Sequence, residues 1–218
     1  LDAHSIHEKD YVKKCVKHLE ENKAQNIGGI WLIEPGDETQ IAKAIAAAAA
    51  HPFGVGGAQY RNVNSKSAFV DTVPFGSYRK KYLLDLGLFD ETLLSNEDYE
   101  LNARIQKQNG KIFLDPSIQC TYFSRKTLED LARQYFRYGY WKFQMLKKYP
   151  NSLRLRQFMP PAFTLCIVIL LILSFSFQFI FWIWLGILIS YIFSLFLGTY
   201  LVSKIEKKDI LHHFLISI

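Results

Sequence analysis

Three short stretches hold side chains whose types and spacing suit chemistry. Asp2-Ala3-His4 sets a carboxylate and an imidazole on alternate positions. In an extended segment both point the same way, and mixed oxygen and nitrogen donors suit Mn2+ or Mg2+ beside phosphate oxygens. A solvated loop is the plain alternative for such a pair. Asn96-Glu97-Asp98-Tyr99-Glu100-Leu101-Asn102 crowds three acids into one expected helix start. Carboxylates there are stabilised by the helix dipole without any further role, yet one held ionised and rigid also suits a general base that takes a proton from a hydroxyl. In Arg133-Gln134-Tyr135-Phe136-Arg137-Tyr138, Gln134 and Arg137 stand three apart, which puts an amide and a fixed cation on one helix face for phosphate oxygens. Tyr138 beside them suits ring stacking; anchoring at an interface is the alternative for such aromatics.

These residues need elements to position them, and the pattern up to about residue 126 alternates between helix-like and strand-like segments, as in an α/β domain. Val12, Cys15, Val16 and Leu19 mark one face of a first helix that ends before Gly28-Gly29, and a short strand is expected at Ile30 to Ile33. Thr39 to Ala50 is alanine-rich and helical, and Pro52 with Gly54, Gly56 and Gly57 forces a loop. Asn96 is a good N-cap for a helix from Glu97 to about Gln108, closed by Gly110. Lys111 to Leu114 reads as a strand stopped by Asp115-Pro116. Thr127-Leu128-Glu129-Asp130 matches a capping box in outline and starts a helix to about Lys148. That helix carries Leu128, Leu131, Tyr135, Tyr138 and Met145 among Arg133, Arg137, Lys142, Lys147 and Lys148, a basic amphipathic pattern suited to the headgroup plane of a membrane.

The 218 residues are 50% hydrophobic and 21% charged, which suits a packed body. The charge is uneven, however: none occurs from Gln157 through Ser203. One crossing needs ~20 residues, so the run fits two helices, one near Pro161 to Leu173 or a little beyond and one from about Phe179 to Val202. Ser174 to Gln178, the least apolar part, would turn between them, with Trp182 and Trp184 near the far interface. Arg154, Arg156, Lys204, Lys207 and Lys208 flank the run, so both outer ends belong on the cytoplasmic side. They also account for much of the net charge of +6 without nucleic acid, for which no motif is present. Cys15, Cys120 and Cys166 share no metal-ligand spacing and suit a reducing cytoplasm. Leu1 in place of Met, and the apolar stretch opening at His212 to Ile218, read as a piece of a longer chain.

In order along the chain, Leu1-Asp2-Ala3-His4, Pro52-Phe53-Gly54-Val55-Gly56, Asp71-Thr72-Val73-Pro74-Phe75-Gly76, Asn96 through Asn102 and Gln134 through Tyr138 resemble the family 2 glycosyltransferases of bacterial exopolysaccharide synthesis, including the succinoglycan type. The resemblance covers nearly all of residues 1 to 160. It implies the C-terminal, acceptor-side part of a GT-A nucleotide-diphospho-sugar transferase fold, an α/β architecture followed by a transmembrane helical hairpin. The implied division is a partial catalytic domain at 1–126, an interface helix and linker at 127–158, two transmembrane helices at 159–203, and a cytoplasmic segment at 204–218. By resemblance, Asp2 and His4 match a metal-binding Asp-x-Asp motif with His4 in place of its second aspartate. Asp98 corresponds to the catalytic base, with Glu97 beside it. Gln134, Arg137 and Tyr138 match a Gln-x-x-Arg-Trp motif in which Tyr138 replaces tryptophan, while Asp71 with the turn at Pro74-Phe75-Gly76 lines the acceptor side or is a structural turn.

The implied activity is inverting transfer of a sugar from a nucleotide-sugar donor to a polysaccharide or lipid-linked saccharide acceptor, at the cytoplasmic face of the bacterial inner membrane, with Mg2+ or Mn2+. The partners are then the donor, the acceptor and the lipid bilayer. A polyprenyl-phosphate sugar transferase and a non-catalytic membrane scaffold with a degenerate transferase fold are the alternatives.

Overall fold

The computed structural model describes residues 5–21, 24–51, 57–150 and 155–206. Asp2, His4 and Pro52 to Gly56 lie outside the described residues. The chain divides into two compact units, Leu1–Ser152 and Leu153–Ile218.

The first unit is built on a five-stranded mixed sheet. Its elements are β1 (Ser5–His7), α1 (Tyr11–Glu21), β2 (Asn26–Glu34), α2 (Gln40–Ala50), β3 (Ala68–Val70), β4 (Ser77–Tyr78), α3 (Lys80–Asp85), α4 (Glu97–Lys107), β5 (Ile112–Phe123) and α5 (Leu128–Lys148). A 3-10 turn, Gln59–Arg61, precedes β3. The long strands β2 and β5 run parallel at the centre, while β4 pairs antiparallel with β2. Both β1 and β3 pair antiparallel with β5, β3 along its first half and β1 along its second. Tyr11, Cys15 and Leu19 of α1 pack on one sheet face with Ile27, Phe113, Ile118 and Cys120. Leu101 and Ile105 of α4 pack with Ile30, Ile112 and Leu114 in a second core. Each such buried aliphatic contributes about 1.5–3 kcal/mol by leaving water.

Two expectations drawn from local sequence are corrected here. The first helix does end before Gly28-Gly29, at Glu21, but the glycines do not precede the strand; they lie inside β2, which starts four residues earlier than expected. Likewise β5 does not stop at Asp115-Pro116 but continues to Phe123. One irregularity explains both. The register passes from Gly28 opposite Leu114 to Ile30 opposite Gln119, so 115–118 bulge out against Gly29 alone. A Cβ on Gly29 would overlap the Ile118 carbonyl, hence glycine. Pro116 falls inside the bulge, where no ladder donor is needed, and Asp115 organises it by accepting from the Ser117 N–H at 2.8 Å and the Ser67 hydroxyl at 2.9 Å. The bulge also shifts the side-chain alternation: Phe113 joins the α1 core before it, and Ile118 and Cys120 after it.

The helix signals fare better. Thr39 accepts from the Ala42 N–H at the start of α2, and Thr127 accepts from the Asp130 N–H at the start of α5. The face expected of α1 is shared out differently, since Tyr11, Cys15 and Leu19 are buried while Val12 and Val16 are exposed.

The second unit contains α6 (Leu155–Ser174) and α7 (Gln178–Glu206), packed against each other with the Phe163 and Tyr191 rings 5.1 Å apart. The turn between them falls at 175–177, close to where the least apolar residues placed it. Segments of 18 and 21 residues, Gln157–Ser174 and Gln178–Gly198, are long and apolar enough to cross a membrane.

Gly29→Ala should lower the unfolding free energy by roughly 2–3 kcal/mol or more, because a backbone carbonyl cannot rotate away from the new methyl group. Gly139→Ala in α5, where an added Cβ meets nothing within 4 Å, should raise it by roughly 0.5–1 kcal/mol. Thermal melts of the purified protein compare the two, and equal effects would disprove the close approach at Gly29.

Candidate active site

The acidic helix start owes its position to polar groups buried on α4. Asn102, 1% exposed, accepts from the Asn26 side chain at 2.8 Å and donates to the Thr72 hydroxyl at 3.0 Å. The same Asn26 amide nitrogen donates to the Tyr78 hydroxyl at 3.1 Å. Helix, central strand and the β3–β4 connection are thereby tied at one point. Glu100, also 1% exposed, takes two bonds from Arg104 at 2.6 and 2.7 Å. Arg104 in turn donates to the Leu86 and Leu88 carbonyls at 2.7 and 2.6 Å, fixing a turn in which Gly87 and Leu88 have positive φ.

At the head of α4 Asn96 occupies the N-cap position, but not as a side-chain cap. Its backbone is left-handed, with φ 67° and ψ 15°, and its side chain donates instead to the Tyr138 carbonyl on α5 at 3.4 Å. Asparagine is among the few side chains that tolerate this conformation. Asp98, half-buried, accepts from the Tyr99 N–H at 2.7 Å. Burial pushes its carboxyl up to about 6, and the neighbouring Glu97 charge adds to the rise; the Tyr99 N–H and the Lys142 ammonium pull back. Tyr78 lies close enough that its phenol, already pushed up by burial, is raised further by the Asp98 charge. Lys142 sits 4.2 Å from the centre of the Tyr99 ring. A carboxylate poised near neutrality beside a phenol and an ammonium group can accept a proton at physiological pH.

The α5 residues divide. Gln134 turns inward and donates to the Tyr138 hydroxyl at 2.7 Å and the Tyr122 hydroxyl at 3.3 Å. Arg137 is exposed. The expectation that Gln134 and Arg137 act together on one face is therefore corrected: the helix aims positions 134 and 138 at the sheet and 137 at solvent. Tyr138 is hydrogen-bonded rather than presented as a bare stacking platform, and burial raises its phenol. Asp71, half-buried, directly precedes Thr72 and so lies next to the Asn102 network. Asp2 and His4 are outside the described residues, but β1, which follows them, pairs Ser5 with Tyr122. Among the described residues no group of three His, Cys, Asp or Glu side chains could hold a metal.

Sequence reasoning missed Asn26, Tyr78, Trp31, Tyr122 and Arg61. Trp31 stacks on Tyr122 with centroids 4.2 Å apart and planes 5° from parallel. Arg61 lies over Trp31 at 5.1 Å and over Tyr60 at 5.5 Å. A cation inside Gln59-Tyr60-Arg61 was a visible signal; its aromatic partners on β2 were not. An open groove of about 510 Å3 runs along α5 between Tyr140, Trp141, Gln144 and Lys147 and the Thr92-Leu93 segment, and Asp98 does not line it.

With fold and geometry in place, the family follows: the chain belongs to glycosyl transferase family group 2, whose model matches residues 1–202. Among curated relatives it is similar to the dolichyl N-acetyl-alpha-D-glucosaminyl phosphate 3-beta-D-2,3-diacetamido-2,3-dideoxy-beta-D-glucuronosyltransferase of Methanococcus voltae, at 29% identity over 72% of this chain and 50% of that one. It is also similar to the succinoglycan biosynthesis protein ExoA of Rhizobium meliloti, at 26% identity over 74% of this chain and 48% of that one. The chain thus spans about half the length of the curated relatives it matches.

Burial that raises Asp98 from its ordinary 3.8 to about 6 means the folded state holds that proton more tightly than the unfolded chain does. Raising the pH through this window therefore costs stability, and the loss persists above it. Asp98→Asn removes the cost, so the variant should melt higher than wild type at alkaline pH, by up to roughly 2–3 kcal/mol, with the difference vanishing near pH ~4. A variant that melts lower at alkaline pH would show that the carboxylate is held by net favourable contacts.

Proposed function

We propose that the intact protein is an inverting glycosyltransferase that moves a sugar from a nucleotide-sugar donor to a polysaccharide or lipid-linked saccharide acceptor at the cytoplasmic face of a bacterial inner membrane. The observation that carries this is the half-buried Asp98 carboxyl at the head of α4, raised to about 6 between Glu97, Tyr78 and Lys142. Asp98 takes the proton of the acceptor hydroxyl. The oxygen attacks the anomeric carbon from the side opposite the diphosphate, the bond to the diphosphate breaks, and the negative charge leaves on the phosphates. Glu97 keeps Asp98 basic enough to accept the proton. Asp71 lies on the acceptor side, next to the anchored Thr72. Gln134 and Tyr138 form the wall contributed by α5.

Asp2 and His4, one to three residues before Ser5, would hold a divalent cation, Mg2+ or Mn2+, which supplies charge neutralisation at the diphosphate. An oxygen and a nitrogen donor suit either ion. The described strand after them begins beside Tyr122, the partner of Gln134.

The membrane assignment rests on sequence and composition. Two apolar helices follow α5 after only six residues, 149–154, and their apolar segments, Gln157–Ser174 and Gln178–Gly198, have Arg154 and Arg156 before them and Lys204 after. Along α5, Phe136, Tyr140 and Phe143 are exposed on one stripe beside Arg137 and Lys147, which suits a headgroup layer. A lipid-linked acceptor is favoured by the Methanococcus voltae relative, whose name specifies a dolichyl-phosphate-linked sugar as acceptor. A polyprenyl-phosphate sugar transferase is the variant of this reading in which the acceptor is the lipid phosphate itself.

Membranes bearing the full-length protein, incubated with labelled nucleotide sugars, should incorporate label, and Asp98→Asn should lower the rate by about 10²–10⁴-fold. Equal incorporation by the variant would remove Asp98 from the chemistry, and no incorporation with any donor would favour a scaffold. Product that is a lipid-soluble monosaccharide would point to the polyprenyl-phosphate activity.

A further inference from the structure

Arg61 closes the 3-10 turn Gln59–Arg61, which is pinned at both ends. The Arg61 N–H donates to the Ala58 carbonyl at 3.0 Å, the Ser65 hydroxyl donates to the Gln59 carbonyl at 2.6 Å, and Ala58 and Tyr60 are buried in the core. The guanidinium lies beside a pair of touching rings, 5.1 Å from the centre of Trp31 and 5.5 Å from that of Tyr60. Trp31 is itself clamped, stacked on Tyr122 and edge-on to Tyr60 at 5.1 Å. The charge of Arg61 is felt at the Tyr138 hydroxyl, and Tyr99, the residue after Asp98, lies within its electrostatic reach.

Among the described residues Arg61 makes no ion pair, and its Nε is buried without a hydrogen-bond partner. The indole Nε1 of Trp31 is likewise buried and without one. Burial opposes the Arg61 charge, while Tyr60, which is also a side-chain hydrogen-bond partner of the guanidinium, and the nearby Tyr135 and Tyr99 favour it, so the group stays charged. Two neighbouring N–H donors with no acceptor, one of them fully charged, make a place for an anionic oxygen. The planar fork of arginine matches phosphate oxygens.

Resting on the glycosyl-transfer reading, we propose that Arg61, set against Trp31 and Tyr60, binds the diphosphate of the nucleotide-sugar donor and stabilises it as the leaving group. An acceptor hydroxyl is neutral and needs no buried cation; negative charge develops only on the departing phosphates, where a fixed cation sheltered from water acts most strongly. Arg137, exposed on α5, is screened by solvent and is not placed for this task.

Binding to the product side tests the assignment without turnover. The full-length protein, with Mg2+ or Mn2+, is titrated with uridine, guanosine and thymidine diphosphates and with the matching monophosphates. Wild type should bind one diphosphate, and Arg61→Gln should weaken it at least about tenfold while changing the monophosphate far less. Arg61→Lys, which keeps the charge but not the fork, should fall between. Unchanged diphosphate affinity in Arg61→Gln overturns the assignment, as does an equal loss for mono- and diphosphate, which would mark a structural role. If wild type binds none of the diphosphates, the glycosyl-transfer reading itself fails and the assignment with it.

Discussion

Asn26 on β2 and Asn102 on α4 meet through an amide-to-amide hydrogen bond of 2.8 Å where water does not reach. An unmade bond at such a place costs about 1–3 kcal/mol for each stranded group, so the helix is held to the height and rotation at which Asn102 is answered on both its oxygen and its nitrogen. Thr72 completes Asn102, and Tyr78 shares the Asn26 donor. Glu100 and Arg104 impose a second restraint on the same helix by holding the turn at Leu86 to Leu88. With both sides fixed, the first turn of α4 has little freedom left, and Asp98 stands where Tyr78 and the Lys142 side of α5 converge.

That fixed position explains why a charged residue is kept half-sheltered. Burial and Glu97 push the Asp98 proton to be retained, while the Tyr99 N–H and Lys142 ease its release. The balance lies near neutrality, useful to a base and unfavourable to stability, the usual compromise at a functional site. The surrounding structure offsets it with conventional bonds, such as Lys148 to Asp90 at 2.6 Å, which joins the end of α5 to the segment after α3 and holds the Asp90 carboxyl well below its ordinary range. Arg61 is the opposite case, a partly buried charge that its tyrosine neighbours keep favoured, set beside rings rather than a carboxylate.

What the sequence disclosed and what it hid divides by distance along the chain. Thr39 and Thr127 announce α2 and α5 because a cap and the N–H groups it serves are neighbours. The pair α6 and α7 was legible from an uninterrupted lack of charge, and the acids at Glu97 and Asp98 from their place at a helix start. Gly28-Gly29 misled because their reason is Ile118, some ninety residues away, and the same bulge carried β5 past a proline that locally reads as a stop. Strands of two or three residues, such as β3 and β4, have too little alternation to announce themselves. In the site, Asn26 and Asn102 look like any polar residues until the sheet and α4 bring them together, and Gln134 parts from Arg137 because Tyr122 gives the amide a partner that the arginine does not share.

The base role of Asp98 is tested most directly by the pH profile of kcat/KM for sugar transfer by the full-length protein, which reports the ionisation of the free enzyme. A carboxylate sheltered as Asp98 is predicts an acid limb with half-maximal rate close to its value of about 6. A limb that falls only near pH ~4, the range of an exposed aspartate, or a profile without one, would contradict it.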